Sequence, residues 1–233
     1  METFQPFSLL HAAALAAIAL ATWVAVAAVR QAGPRGAPTR AERALGIAFI
    51  LVWLAVHGWW LVPPRLDPTR TLPLQMCHLT ALAAGLYLAT RWSALAPLLY
   101  FWGFGLCTQA LITPTLDVGP AHLQFWYFWL SHGMIVGVAV CALAAYRYRP
   151  TWSDWRFACL AAAVYAAAVI PVDLAFGANY GFLGRTVPDQ PTLVDLLGPW
   201  PMRLALVAML VTGVMALLML PWTLAKQRAV GSL

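Results

Sequence analysis

Residues 7–29 read FSLLHAAALAAIALATWVAVAAV, a run without Asp, Glu, Lys or Arg that is closed by Arg30. A helix needs about 20 mostly apolar residues to cross a bilayer, and this run has them. Six more runs of the same kind follow, at roughly 44–62, 72–89, 93–112, 123–146, 157–176 and 202–223. The third is the shortest. It is expected to begin behind Leu72-Pro73-Leu74, with the proline in a first turn where its missing N–H costs nothing. The head of the first run, Met1 to Pro6, carries Glu2 and no basic residue. That pattern favours a retained helix over a cleaved signal peptide, whose head is basic and whose apolar run is shorter.

The composition agrees with this reading. The 233 residues are 62% hydrophobic and 9% charged, against about 25% charged in a soluble domain. A soluble fold of this size has no interior large enough to hide that surface. The sequence therefore predicts an all-α polytopic membrane bundle of about seven transmembrane helices, forming one integral membrane domain over residues 1–233. The net charge of +6 is carried by arginines in the loops, Lys226 being the single lysine. No basic, aromatic-interleaved surface stands apart from the spans, so nucleic acid is not an expected partner. Instead the charges set orientation. Arg30, Arg35, Arg40, Arg43, Arg91, Arg147, Arg149, Arg156, Lys226 and Arg228 fall on one side, and Arg65, Arg70, Arg185 and Arg203 on the other. The richer side is cytoplasmic. An odd number of spans then puts the N-terminus outside and the C-terminus in the cytoplasm of a multi-pass cell-membrane protein.

Smaller features fill in the picture. Cys77, Cys107, Cys141 and Cys159 form no C-x-x-C pair, so neither a zinc knuckle nor a redox motif is indicated. Trp59, Trp60, Trp126, Trp129, Trp200 and Trp222 lie near span ends, as interfacial tryptophans do. Gly133 and Gly137 make a small-xxx-small pair, which permits a homodimer as well as close packing within one chain. Pro97 and Pro171 are expected to kink their spans. Residues 177–201 form the longest loop, on the outer side.

Ionisable side chains are costly inside a bilayer and mark function. Counting about 1.5 Å per residue from the span ends, Cys77 and His78 lie about 8–9 Å below the outer boundary, His57 about 8 Å, Gln109 and Asp173 about 5 Å, and His132 about 14 Å. The cytoplasmic halves hold almost nothing comparable. This one-sided set predicts an outer-leaflet polar cavity, against the plainer reading of scattered hydrogen bonds between helices. Plainer readings exist for single residues too. His57 and His11 suit an interface, His122 headgroups, Gln109 a helix–helix hydrogen bond. Asp173 suits a cap on backbone freed by Pro171, or a pair with Arg185 or Arg203.

The stretch Leu72-Pro73-Leu74-Gln75-Met76-Cys77-His78-Leu79 resembles the LPLxxCHL signature of the YwaF-like family of bacterial integral membrane proteins. Tyr100-Phe101-Trp102-Gly103, Ser131-His132-Gly133, Ala178-Asn179-Tyr180 and Asp195-Leu196-Leu197-Gly198-Pro199-Trp200-Pro201 follow in the family's order. A distant animal relative is similar to a transmembrane cysteine acyltransferase of ether-phospholipid remodelling. The resemblance implies a bacterial cytoplasmic-membrane protein acting on membrane phospholipids, with a cysteine nucleophile at Cys77 and a second histidine, His132, on a later helix.

Physical chemistry constrains that implication. Adjacent helical residues point about 100° apart, so Cys77 and His78 are poorly placed to serve each other as nucleophile and base. His132 is the better base, and a Cys–His pair supplies the activation a buried thiol lacks. His78 or Gln75 would donate to an acyl oxyanion, and Asp173 or Asn179 would orient an imidazole. Two other classes use the same side chains. One is a non-enzymatic solute binder or transporter lined by His57, His78, His132 and Asp173. The other is a zinc site, for which neither H-E-x-x-H nor a His pair at i, i+4 is present. No nucleotide, flavin or haem motif occurs, so no cofactor is expected.

Overall fold

The computed structural model describes residues 3–31, 33, 36–185 and 193–231. Glu2, Arg35 and residues 186–192 of the long loop, all used in the sequence reading, lie outside the described residues. Within them the chain is helical, with no strand. We label the helices α1 (Leu9–Gln31), α2 (Arg40–Trp60), α3 (Met76–Thr90), α4 (Leu95–Ile112), α5 (Leu123–Ala144), α6 (Trp152–Phe176), α7 (Arg203–Leu217) and α8 (Leu220–Gly231). Short 3-10 turns at Tyr180–Phe182 and Leu193–Leu197 lie between α6 and α7. Among the described residues six helical runs are long and apolar enough to cross a membrane, the last being Arg203–Ala225, and α3 is a shorter apolar helix. The polytopic helical membrane bundle expected from the sequence is what the chain forms.

Several boundaries differ from expectation, each for a local reason. α2 starts at Arg40 because Thr39 and Glu42 form a capping box: the Thr39 N–H donates to Glu42 Oε2 at 2.6 Å and the Glu42 N–H to Thr39 Oγ1 at 3.2 Å. The same device starts α6 at Trp152, with the Thr151 N–H on Asp154 Oδ2 at 2.9 Å and the Asp154 N–H on Thr151 Oγ1 at 3.3 Å. Arg40, Arg43 and Arg156 are thus helical residues, not loop charges. Pro97 occupies the first turn of α4, where it removes no helical hydrogen bond; it is not the expected kink. The irregularity of α4 is instead a π-helix over Leu99–Cys107, with Thr108 Oγ1 donating to Gly103 O at 2.9 Å. Pro171 sits inside α6, which continues to Phe176 and ends on left-handed Gly177 at φ +67°.

α3 begins at Met76, behind Leu72-Pro73-Leu74 as expected, but Leu72–Gln75 is not helical, so Pro73 does not occupy a first helical turn. Fifteen residues rise only about 22 Å, short of the ~30 Å hydrocarbon core. Pro73 therefore precedes the helix.

The chain divides into two compact units, Met1–Ile50 with Thr80–Arg149, and Leu51–Leu79 with Pro150–Leu233. In the first, α1 packs along the glycine seam of α5. A Cβ on Gly133 would lie 3.1 Å from Ile18 Cγ1, and one on Gly137 3.1 Å from Thr22 Oγ1. The small-xxx-small pair thus serves packing inside the chain. The π segment of α4 faces the same helix, Gly103 meeting Ile135. A core of Ala83, Ala84, Tyr87, Leu88, Leu99, Val138 and Ala139 lies among α3, α4 and α5. Phe4, Leu111, Phe125 and Trp129 form a second cluster. His11 joins it, buried, with Nε2 donating to Leu111 O at 2.8 Å and Nδ1 accepting the Phe7 N–H at 2.9 Å. His11 and Trp129, expected at the interface, are therefore core residues, while Trp59 and Trp126 are exposed as expected.

The α2 and α3 backbones nearly touch where Gly46 meets Gly85. A Cβ on Gly46 would stand 2.6 Å from Gly85 O and 2.7 Å from Ala89 N, both backbone atoms that cannot rotate away. Gly46→Ala is expected to lower stability by about 1–2 kcal/mol, overpacking outweighing the ~1 kcal/mol gain in helix propensity. Thermal unfolding of the purified variant in detergent reads this out, and an unchanged or raised midpoint would refute the close approach.

In the second unit, Tyr165, Val169, Ala178, Tyr180, Leu183 and Val207 form the core. Here Arg203, counted as a topology charge, is 1% exposed. It is ion-paired with Asp195 and donates through Nη2 to Gly184 O at 2.6 Å.

Candidate functional site

The signature segment is held by hydrogen bonds from α6 and from the loop that follows it, within the second unit. Tyr165 Oη donates to Leu74 O at 2.6 Å. Tyr180 Oη accepts the Leu72 N–H at 3.0 Å and donates to Pro68 O at 2.9 Å. Gln75 Oε1 accepts the Gly181 N–H at 3.0 Å. These partners satisfy backbone groups of a stretch that is not helical. They also explain why α3 starts only at Met76.

The loop is itself locked. Asp173 Oδ1 accepts the Tyr180 N–H at 2.8 Å, and Asn179 Oδ1 accepts the Gly184 N–H at 3.0 Å. Trp200 Nε1 donates to Leu183 O at 3.1 Å. Gly181 has φ +60°, and a Cβ there would collide with the Tyr165 hydroxyl. Gln75, Asp173 and Asn179, expected to bind substrate or orient an imidazole, thus each hold backbone through one side-chain oxygen. Asp173 is 2% exposed. Among the described residues its Oδ2 has no hydrogen-bond partner, so this carboxyl keeps one oxygen for a further group. Arg185 and Arg203 do not ion-pair with it among the described residues.

Cys77 is the second residue of α3 and is half-buried. Its thiol therefore stands at a helix N-terminus and not partway down a span. That end carries the positive pole of the helix dipole, which favours a nearby oxyanion. His78 is joined to α2. Its ring centroid lies 4.4 Å from that of His57, which lies 4.4 Å from Trp53. Trp53 Nε1 donates to His78 O at 3.0 Å. His57, expected either at the interface or lining a cavity, is buried in this stack.

His132 belongs to the first unit. It is buried in α5, with its ring 4.3 Å from Phe128 and Nδ1 2.8 Å from Phe128 O. A carbonyl only accepts, so Nδ1 carries the proton and Nε2 keeps its lone pair, the form a general base needs. Gln109 is exposed in the last turns of α4 and, among the described residues, shares no side-chain hydrogen bond with the other candidates. Among the described residues no group of three His, Cys, Asp or Glu is placed to hold a metal ion. Cys107 and Cys141 are buried and Cys159 half-buried, and among the described residues none of them forms a disulfide.

Three features escaped the sequence reading. Trp53, Tyr165 and Arg203 hold the site's backbone, and only their presence within or beside apolar runs signalled it. The π-helix carries Tyr100-Phe101-Trp102-Gly103, and no composition signal marks such a register. A charged network also lies at the opposite helix ends, where almost nothing polar was expected. Arg91 pairs with Glu42 at 2.9 Å, its guanidinium lies 3.6 Å over the Tyr146 ring, and Tyr146 Oη donates to Glu42 Oε1.

Comparison with known proteins places the chain. It matches the TMEM164 family over residues 3–219, nearly its whole length. An uncharacterized protein of Treponema pallidum (strain Nichols) is 30% identical over 114 residues, which are 49% of this chain and 48% of that relative, so the match spans about half its length. No solved structure matches. The chain belongs to the TMEM164 family.

Proposed function

We propose that this TMEM164-family membrane protein moves fatty acyl groups of membrane phospholipids through a thioester on Cys77. We place it among the bacterial YwaF-like members on the strength of LPLQMCHL, in the cytoplasmic membrane with the N-terminus outside. The observation that supports the reaction best is the position of the thiol: half-buried, at the first turn of α3, beside the His78–His57 stack.

In this reading the Cys77 sulfur attacks the carbonyl carbon of a phospholipid ester, and the thiol proton passes to an imidazole acting as general base, the role that the sequence reading gives to His132. The tetrahedral oxyanion is stabilised by the α3 N-terminus, with His78 as a further donor. Its collapse breaks the acyl C–O bond, and the imidazolium returns the proton to the leaving glycerol oxygen, releasing a lysophospholipid. A lysolipid hydroxyl or water, deprotonated by the same imidazole, then attacks the thioester and frees the thiol. Asp173 Oδ2 is the acceptor that would orient that second nucleophile. Gln75 and Asn179 fix the loop and are positioning residues.

The test is a trapped intermediate. Purified protein incubated with phospholipid carrying a labelled acyl chain is expected to gain label that hydroxylamine removes. His132→Gln is expected to slow its formation by about 10²–10⁴-fold, the usual worth of a general base. Absence of any hydroxylamine-sensitive label, together with stabilisation by a soluble solute, would favour a binding or transport role instead.

A further inference from the structure

Away from Cys77, in the first unit, Arg30 near the end of α1 and Arg147 and Arg149 just beyond α5 line an open cavity of about 440 Å³ together with Gly33, Ala144 and Ala145. The reaction above uses none of them. Arg30 Nε donates to Ala144 O at 3.0 Å, and Arg149 Nη1 donates to Leu143 O at 3.0 Å and Tyr148 O at 2.9 Å. Those bonds blunt the negative carbonyl end of α5, which would otherwise repel an anion. A guanidinium has five N–H donors in a planar fork, so the single bond made by Arg30 leaves most of its fork for the cavity. Among the described residues neither Arg30 nor Arg147 is ion-paired with a carboxylate.

Arg147 supplies a second observation. Its φ is +58°, a left-handed conformation that costs a non-glycine residue about 1–2 kcal/mol. Orientation by basic residues depends on how many lie on a side, not on where each one stands. The left-handed turn at Arg147 ends α5, with the Tyr148 N–H donating to Ala142 O at 2.8 Å, a position that glycine more often fills, and it carries the Arg147 side chain to the cavity lined by the other two arginines.

We propose that Arg30, Arg147 and Arg149 bind a phosphate-bearing anion, either the headgroup of an anionic phospholipid or a free phosphate. Arginine forks match phosphate oxygens two at a time, and the basic side of the chain is the one assigned to the cytoplasmic leaflet. The site is independent of Cys77.

The purified full-length protein in a neutral detergent is titrated with phosphatidylglycerol, phosphatidylcholine and inorganic phosphate, following the thermal midpoint and native mass spectra. Phosphatidylglycerol is expected to bind and raise the midpoint, and phosphatidylcholine to do so at least tenfold more weakly. Arg147→Gly relieves the backbone strain while removing the charge. It is expected to keep or raise the ligand-free midpoint and to weaken phosphatidylglycerol binding at least tenfold, with Arg30→Gln doing the same to binding. Protection by inorganic phosphate equal to that by phosphatidylglycerol identifies the free anion as the ligand and supports the site. Equal binding of the two lipids without a phosphate effect, or unchanged affinity in Arg147→Gly, overturns it.

Discussion

Replacing Cys77 with alanine is expected to reduce phospholipid acyl turnover by about 10³–10⁶-fold, the range seen when a covalent nucleophile is removed. The fold should hardly notice. Cys77 is half-buried and at a helix start, and the backbone around it is fixed by Gln75, Tyr165 and Tyr180. Losing one sulfur atom there is expected to cost no more than about 1 kcal/mol. Lipid turnover in proteoliposomes and a thermal midpoint on the same preparation separate the two effects. Turnover within tenfold of the parent chain would remove Cys77 from the chemistry while leaving the family and the fold as described.

Arg203→Met is expected to destabilise the second unit by about 2–4 kcal/mol, because it leaves the half-buried Asp195 without the Arg203 cation and Gly184 O without its donor. Arg203 is 1% exposed, is ion-paired with Asp195 and reaches Gly184 O, so it ties the Asp195–Pro201 motif to the loop that grips Leu72–Gln75. Arg203→Lys keeps the charge but not the fork, and should recover part of the loss. The double variant Arg203→Met, Asp195→Leu removes both charges together and should lie nearer the parent than Arg203→Met alone. The thermal midpoint in detergent checks all three. A loss under about 1 kcal/mol for Arg203→Met would mean that the pair behaves like an ordinary surface salt bridge.

How much of this was legible beforehand follows from what each signal measures. Apolar runs gave the spans because hydropathy reports partition into lipid. The same measure put Pro73 in a helical turn, since Leu72-Pro73-Leu74 is as apolar as a helix and nothing local says that Tyr165 and Tyr180 will take its backbone bonds. The starts of α2 and α6 were readable. Thr39 with Glu42, and Thr151 with Asp154, are capping-box pairs at the right spacing, and weighting them over hydropathy would have found Arg40 and Trp152. For the site, roles were harder to read than residues. Gln75, Asp173 and Asn179 were expected to bind substrate or orient an imidazole, yet each accepts a main-chain N–H, because a loop without regular structure must satisfy its own amides first. The His57–His78 stack depends on the angle between two helices, which one sequence does not encode in any local pattern. Trp129 shows the same limit: position along a span was read correctly, and which way the ring faces was not.

The glycine rail of α5 has its groove filled by Ile18 and Thr22 of the chain's own first helix. Such rails are a common way for membrane helices to find one another, so an occupied one is closed to other copies. Any self-association of the intact protein must then use a different face. A chain shortened past Gln31 would uncover the rail, and its stickiness toward sister molecules would reflect that missing guard and say little about the assembly of the full-length form.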